Sequence, residues 1–373
     1  MPRLRHDGRV FTLVVSILVV VSALPVLLVV ALAGAPGTVL LATVLAALPV
    51  VPVVMVFLWL DRYEPEPRSL LLLGLGWGAA VAVVAALLLQ GIGGLFLPVT
   101  DAGSLAVVAP VTEEAVKGAF LVALLWWRRA ELDGLLDGVV YAGMVGTGFA
   151  FTENILYLAA AYDGTDGMGP GGTVALTSTF VVRCLASPFA HPLFTAFTGI
   201  GVGLAVTSRH GVVRLAAPVA GYLLAVLCHG LWNASTLAGL GGFAVVYLVI
   251  MAPALLLVGA LAFWARTSER QMLGRALGDA AARGLLPATD IGWVVDLRAR
   301  RLARRYARET GGKEAEDRMR AYQQAAIELG FLHHRYLRGT APADFASRGG
   351  AYVARIGAVR PSVQFPGQVV PTR

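Results

Sequence analysis

Residues 10–34 read VFTLVVSILVVVSALPVLLVVALAG, a run of 25 residues without one charged side chain. A helix needs about 20 apolar residues to cross the hydrocarbon core of a bilayer, which is about 30 Å thick. Similar runs follow at 38–60, 69–97, 106–127, 136–160, 175–206, 213–236 and 243–265. The sequence therefore predicts an all-α protein, a polytopic transmembrane helical bundle of about eight spans.

The composition excludes an ordinary soluble domain. Of the 373 residues, 57% are hydrophobic and 14% are charged, whereas soluble domains carry about 25% charged residues. The first apolar run has a second interpretation, a signal peptide, because Ala33-Gly34-Ala35 resembles a cleavage site. It is longer than the apolar part of a signal peptide, which has about 7–15 residues, and we expect an uncleaved first span.

Positive charge alternates from one side of the predicted spans to the other. Arginines precede the first span and follow every second span, whereas the remaining connections contain neither Lys nor Arg. Because positively charged loops are retained in the cytoplasm, we predict that both termini are cytoplasmic and that the protein is integral to the plasma membrane. The connections without positive charge are 35–37, 98–105, 161–174 and 237–242.

The chain changes character after residue 265. Residues 266–373 hold 19 of the 30 Lys and Arg residues but 10 of the 23 Asp and Glu residues. We therefore divide the chain into a transmembrane domain at 1–265, a basic helical cytoplasmic region at 266–340 and a proline-rich tail at 341–373. The tail is predicted to be disordered.

The basic region contains two predicted amphipathic helices, 293–310 and 313–338, separated by Gly311-Gly312, a helix stop. The first helix carries many arginines, each of which contributes about 1 kcal/mol near an anionic membrane surface. Two interpretations stay open: a solvated helix face, or a surface that binds anionic lipid headgroups or a protein partner. We expect no nucleic-acid partner. The arginines are Arg298, Arg300, Arg301, Arg304, Arg305 and Arg308.

Seven Asp, Glu, Lys, Arg or His side chains lie inside the predicted spans and away from the span ends. A charge in the bilayer core costs at least about 2.5–3.5 kcal/mol, so such residues are functional candidates by default. They are Glu113, Glu114 and Lys117 in the fourth span, Glu153 in the fifth, Arg183 and His191 in the sixth and His229 in the seventh.

These side chains are predicted to lie at similar depth. At a rise of about 1.5 Å per residue, Glu113, Glu153 and His229 share one level in the outer half of the bilayer, and His191 lies slightly deeper. Proline interrupts helices, so Pro188 and Pro192 can break the overlong sixth span near His191. We expect Arg183 to be structural, either reaching outward or pairing with a carboxylate.

The spacing within each helix brings partners together. Lys117 follows Glu113 and Glu114 by one turn and can neutralise either carboxylate. His229 and Asn233, four residues apart, point the same way. Glycines in the fifth and sixth spans would allow close helix contacts; they are Gly143, Gly146, Gly148, Gly199 and Gly203.

Together these residue types fit zinc-dependent hydrolysis. That chemistry needs nitrogen and oxygen ligands around an open metal position and a carboxylate that takes a proton from water. The chain contains no HExxH motif. Each group also has a structural interpretation on its own: a salt bridge for Glu113 and Lys117, and a helix-to-helix hydrogen bond for His191 or His229.

Five sequence elements, spread over about residues 50–240, resemble the PrsW family of intramembrane proteases. The family is distantly similar to the CAAX prenyl endopeptidases, which have a paired glutamate, FxxxH and HxxxN; here Glu153 stands where those relatives have histidine. The elements are DRYEPEP at 61–67, EEAVK at 113–117, Asp137-Gly138 with FAFTEN at 149–154, His191, and HGLWN at 229–233.

The resemblance implies an intramembrane metalloendopeptidase that cleaves single-span membrane proteins, such as anti-sigma factors, near the outer membrane face. Our hypothesis is that Glu113 or Glu114 activates a water, that Asn233 donates to the developing oxyanion and that Lys117 tunes the glutamates. Glu153, His191 and His229 would bind zinc or orient that water. The first alternative is a proton- or cation-coupled transporter, although the sequence shows no internal pseudo-repeat of the kind found in many transporters. The second alternative is a scaffold that acts through its basic region.

Overall fold

The computed structural model describes residues 8–96, 99–165 and 170–367, and over these ranges all regular secondary structure is helical. Arg3 and Arg5, two of the arginines used to predict the membrane orientation, lie outside the described residues. The chain divides into two compact units. The membrane unit comprises Met1–Asp61 and Glu66–Ala262, and the tail unit comprises Arg62–Pro65 and Phe263–Arg373. The predicted polytopic helical bundle is confirmed.

Long apolar helices build the membrane unit. Several of them contain a π-helical turn, for example at Trp77–Ala82. The helices are α1 (Gly8–Leu32), α2 (Pro36–Leu60), α3 (Arg68–Phe96), α4 (101–127), α5 (Leu135–Asp163), α6 (173–186), α7 (Ala190–Thr207), α8 (Gly211–Leu237) and α9 (Gly239–Ala282).

Seven helical segments among the described residues are long and apolar enough to cross a membrane, against the eight spans predicted. The difference is α4. It forms a helix where the fourth span was predicted. However, two of its turns contain three charged residues, Glu113, Glu114 and Lys117, so this helix is less apolar than the seven other segments. All three side chains are buried inside the protein.

Glycine contacts bring α5 close to its neighbours, as predicted. Gly138 of α5 and Gly199 of α7 face each other so closely that a Cβ on either would collide with the carbonyl group of the other. A Cβ on Gly146 would meet the backbone of His191, and one on Gly148 would meet the carbonyl group of Leu75 in α3. These contacts are typical of small residues at membrane helix interfaces, and they make α5 the most enclosed helix of the unit.

The predicted interruption of the sixth span is confirmed. α6 ends at Ala186 and α7 begins at Ala190, with Ser187 in a non-helical conformation (φ −129°, ψ 41°). Pro188 lies in this break and has no N–H to donate. The break turns the chain immediately before His191, which is the second residue of α7.

The tail unit has its own apolar core. After α9 it contains α10 (Ile291–Val295), α11 (Leu297–Leu337) and α12 (Phe345–Val359). Gly311 and Gly312 are non-helical, so α11 consists of two helices across a kink, close to the two helices predicted. The side chain of Arg300, in the first part of α11, is buried and donates to the carbonyl group of Tyr63 (3.1 Å).

The disorder predicted for 341–373 is wrong over the described residues, which end at 367. α12 places Ile356 in the apolar core, and Phe365 beyond it is fully buried against Trp293, with ring centroids 5.4 Å apart. The apolar residues of α12 recur at helical spacing, and the prolines lie outside it. Residues 368–373 lie outside the described range.

The motif at 61–67 connects α2 to α3 through buried polar contacts. In the membrane unit the carboxylate of Asp61 accepts from the backbone N–H of Glu66 (3.0 Å), and Tyr141 donates to Glu66 Oε2 (2.6 Å). Burial raises the pKa of Asp61 to about 8 and also raises the pKa of Glu66. These buried contacts favour a structural role for the segment.

Candidate active site

Lys117 lies at the centre of the buried polar cluster. Its side chain is fully buried, and Nζ donates to Glu114 Oε1 (2.8 Å) and, at longer range, to Glu113 Oε2 (3.4 Å). Nζ also lies 3.1 Å from Nδ1 of His191 and 3.7 Å from the centre of the Phe149 ring. The predicted neutralisation of the glutamate pair by Lys117 is thus present in the structure.

His229 approaches both glutamates, one with each ring nitrogen. Its Nδ1 lies 3.1 Å from Glu114 Oε1, and its Nε2 lies 3.8 Å from Glu113 Oε2. The imidazole stacks on Phe194 with ring centroids 4.7 Å apart and meets the ring of His191 edge-on at 5.1 Å. These ring contacts fix the orientation of the imidazole, and its Nε2 faces Glu113.

The two glutamates have different surroundings. Glu114 is fully buried, and its second oxygen accepts from the hydroxyl group of Thr195 (3.1 Å) in addition to the contacts of the first oxygen. Glu113 is 7% exposed and makes only the longer contacts to Lys117 and His229. Glu114 therefore holds α4 to α7 and α8, whereas Glu113 keeps acceptor capacity for a ligand.

Glu153 of α5 pairs with two groups. Its carboxylate lies 2.6 Å from Nε2 of His191 and forms an ion pair with Arg183 of α6. Arg183 also donates to Asn154 Oδ1 (2.8 Å) and stacks over the ring of Tyr157. The prediction that Arg183 pairs with a carboxylate is confirmed.

Three buried residues could hold a metal ion. One ligand atom each from Glu113, His191 and His229 lie within 4.8 Å of one another. Imidazole nitrogens with a carboxylate oxygen form a donor set that suits zinc and leaves a position open. The set contains two of the three predicted ligands, but Glu113 replaces Glu153, because Arg183 and His191 engage the Glu153 carboxylate.

Asn233 makes a contact that the sequence did not predict. Its side-chain amide donates to the backbone carbonyl group of Leu105 (2.9 Å), which connects α8 to a π-helical turn of α4. This contact is structural. Thr195, which the sequence analysis did not single out, does reach the site. Its position four residues after His191 places it on the same helix face, which is a signal that could have identified it.

A small cavity of about 10 Å³, roughly the space of one water molecule, borders His191. Arg183 and Asn154 contribute polar groups to its wall, and the helix break contributes Ser187 and Pro188. The donor set is therefore buried, and the imidazole of His191 borders open space on the side of the break.

Fold and site together define a polytopic helical membrane protein with a buried glutamate–histidine cluster next to a broken helix. A family profile described as PrsW family intramembrane metalloprotease matches residues 66–258, more than half of the chain. The chain belongs to this family. The matched range contains every site residue described above and ends before most of the tail unit.

Two curated relatives agree with this assignment. Protease PrsW of Geobacillus kaustophilus is 28% identical over 176 residues, which cover 46% of this chain and 69% of the relative. Protease PrsW of Oceanobacillus iheyensis is 30% identical over 114 residues, 31% of this chain and 46% of the relative. No solved structure matches the chain. The protein is thus an integral membrane protein of a protease family.

Proposed function

We propose that this protein is an intramembrane metalloendopeptidase whose metal is held by His191 and His229, with Glu113 as the third ligand or as the base that takes a proton from water. The observation that carries the proposal is the convergence of these three buried donors from three helices, within 4.8 Å of one another. The family description supports a metalloprotease.

The carboxylates beside both imidazoles fit metal ligation, although the remaining nitrogen of His191, Nδ1, lies 3.1 Å from Nζ of Lys117, which must move away for a metal to bind there. Metal-binding histidines commonly place a carboxylate at the ring nitrogen that does not bind the metal, which orients the ring. Glu114 has this relation to Nδ1 of His229, and Glu153 has it to Nε2 of His191. A zinc ion in the donor set would act as a Lewis acid that polarises a peptide carbonyl group and acidifies a water.

The protein's own residues divide the remaining work. Glu113 has the freer carboxylate and either ligates the metal or takes the proton from the attacking water. Glu114 is a positioning residue, since Lys117, His229 and Thr195 already engage its oxygens. Lys117 balances the charge of the glutamate pair. We do not assign the oxyanion contact to Asn233, whose amide binds Leu105.

The substrates that fit this arrangement are single-span membrane proteins, anti-sigma-factor-like in topology. The arginine distribution supports a plasma-membrane protein with both termini cytoplasmic, and the depth of the site residues in that orientation supports cleavage near the outer face. A soluble peptide would have to enter a site enclosed by apolar helices, whereas a membrane-anchored chain reaches it from the bilayer.

The exposed arginines of α11 are proposed to bind anionic lipid headgroups. Arg298 and Arg301 are exposed, and Arg305 is exposed although it pairs with Glu309. Arg300 does not belong to this surface because it is buried. Replacing both Arg298 and Arg301 with Gln should weaken co-sedimentation of the purified protein with phosphatidylglycerol vesicles. Replacing the buried Arg300 with Gln should leave this co-sedimentation unchanged.

The proteolytic proposal is tested by comparing the N-termini of membrane proteins in cells that express the wild type or Glu113→Gln at equal levels. Glu314→Gln is the matched control, because Glu314 is an exposed tail residue. We expect new N-termini with the wild type and with the control, and none with Glu113→Gln. Equal sets of N-termini from all three proteins would contradict the proposal.

The zinc content of purified Glu113→Gln separates the two roles of Glu113. Loss of zinc together with activity identifies a ligand, whereas retained zinc with lost activity identifies the proton acceptor. A wild type that carries no zinc and cleaves nothing would favour the transporter alternative, since buried carboxylates and histidines also form ion pathways.

A further inference from the structure

A second, larger cleft lies beside the cavity at His191. Its cavity volume is about 200 Å³, less than the roughly 300–1,000 Å³ of sites for drug-sized ligands, so it suits a single side chain rather than a whole ligand. Residues after the helix break form one wall, with Pro188 and Leu193, and α9 forms the opposite wall, with Met251 and Leu255. The lining is almost entirely apolar, so the cleft suits a hydrocarbon side chain and not a polar ligand.

The cleft adjoins the cavity of the site, because the same residues form walls of both. Ser187, Pro188, Ala190 and Trp232 line both spaces. A peptide that presents a carbonyl group beside His191 therefore has a neighbouring side chain within reach of the apolar cleft. The two spaces together have the two properties that a protease subsite needs, a polar region at the reacting bond and an apolar pocket next to it.

The wall formed by α9 faces lipid on its other side. Met251 is 4% exposed, whereas Leu248, one turn earlier on the same helix, is 66% exposed. Tyr247 donates to the carbonyl group of Ala186 (2.6 Å), and this hydrogen bond holds α9 against the helix break. α9 begins at Gly239, whose φ is +68°, with Gly241 in open space. The cleft thus lies between the bilayer and the site.

We propose that this cleft is the specificity subsite for a bulky apolar residue of a transmembrane substrate, next to the bond that is cut. The proposal rests on the proposed proteolytic function for its role, but the binding of an apolar membrane segment can be measured without proteolysis. Met251 and Leu193 determine the size of the side chain that the subsite accepts.

The first test compares residue preferences at the new N-termini produced in cells. With the wild type we expect enrichment of Leu, Ile, Met or Phe at one position beside the cut. Met251→Trp should fill the cleft and lower that enrichment about 10-fold, the effect of a small change in the size of an apolar pocket. Leu248→Trp, on the lipid face, is the matched control and should keep the wild-type preference. An unchanged preference in Met251→Trp would overturn the proposal.

The second test needs no activity. In the Glu113→Gln protein, a photoreactive diazirine amino acid of about the size of methionine, which leaves the cleft open, replaces Met251 or, as control, Leu248, and a synthetic single-span polyleucine peptide is added in nanodiscs. We expect at least about 3-fold more crosslinking from position 251, and loss of the difference with Leu193→Trp. Equal crosslinking from both positions would overturn the subsite. Selective crosslinking by a protein that cuts nothing as wild type would keep the subsite and contradict proteolysis.

Discussion

Oε1 of Glu114 lies 3.1 Å from Nδ1 of His229, although 115 residues separate the two along the chain. The same oxygen accepts from Lys117, and the other oxygen accepts from Thr195. One carboxylate therefore joins α4, α7 and α8 at the point where the site is formed. Its neighbour Glu113, one residue earlier, has weaker contacts. The pair thus combines a residue that fixes the architecture with a residue that remains available for chemistry.

Glu114→Gln should destabilise the protein, whereas Glu113→Gln should leave its stability close to that of the wild type. Removing one partner of a buried ion pair costs about 3–5 kcal/mol, because the other charge stays buried, and Lys117 makes its shortest contact with Glu114. Thermal unfolding in detergent checks this, with Glu314→Gln as the reference. Equal midpoints for Glu114→Gln and the reference would contradict the structural role.

The two site histidines should be required for zinc. We expect His191→Ala and His229→Ala to purify without stoichiometric zinc, and His210→Ala, at an exposed position before α8, to keep it. Glu114→Gln should weaken zinc affinity about 10- to 100-fold, the usual effect of removing a carboxylate that orients a ligand. Elemental analysis of the four purified variants measures these differences. Retention of zinc in His229→Ala would exclude the donor set.

Gly138→Ala should be strongly destabilising and Gly259→Ala should not. A Cβ at Gly138 would collide with the backbone of Gly199, and overpacking of this kind costs about 1–3 kcal/mol or more. A Cβ at Gly259 meets no atom within 4 Å, and alanine favours a helix by about 0.5–1 kcal/mol relative to glycine. Thermal unfolding of both variants measures the contrast. Similar midpoints would show that α5 and α7 do not depend on this contact.

The buried carboxyl group of Asp61 should make stability depend on pH. Burial, partly opposed by the hydrogen bond from Glu66, raises the pKa of Asp61 from 3.8 to about 8. In the unfolded chain the group ionises near its ordinary pKa, so its contribution is fully present below about pH 4 and is lost as pH rises through about 8. The free energy of unfolding should therefore decline between pH 5 and pH 9, and Asp61→Asn should make this decline shallower when thermal unfolding is measured across that range. The raised pKa of Glu66 acts in the same direction, so part of the decline should remain in the variant.

The spans and the cluster were readable in the sequence because each depends on local pattern. The charge-free run of α1 defines a span directly. Lys117 forms ion pairs with Glu113 and Glu114 because one helical turn separates it from both. The proximity of Glu114 to His229 could be predicted because both residues lie at a similar depth in their predicted spans.

The exact ligand set could not be read in the same way. Spacing within α5 places Glu153 at the correct depth, but its pairing with Arg183 depends on the rotation of another helix. Asn233 does share a face with His229, yet the acceptor that it meets is a backbone carbonyl group 128 residues away. Arg300 shows the same limit in the tail unit, where one member of an arginine run turns inward.

The hydrogen bond from Arg300 to Tyr63 spans 237 residues, and the tail unit includes both of them. During synthesis the loop that contains Tyr63 therefore leaves the ribosome long before its partner exists. The carbonyl groups of Arg62 and Tyr63 must be satisfied by water until Arg300 has been made. The tail unit can therefore complete its assembly only after α9 and the first part of α11 have been translated.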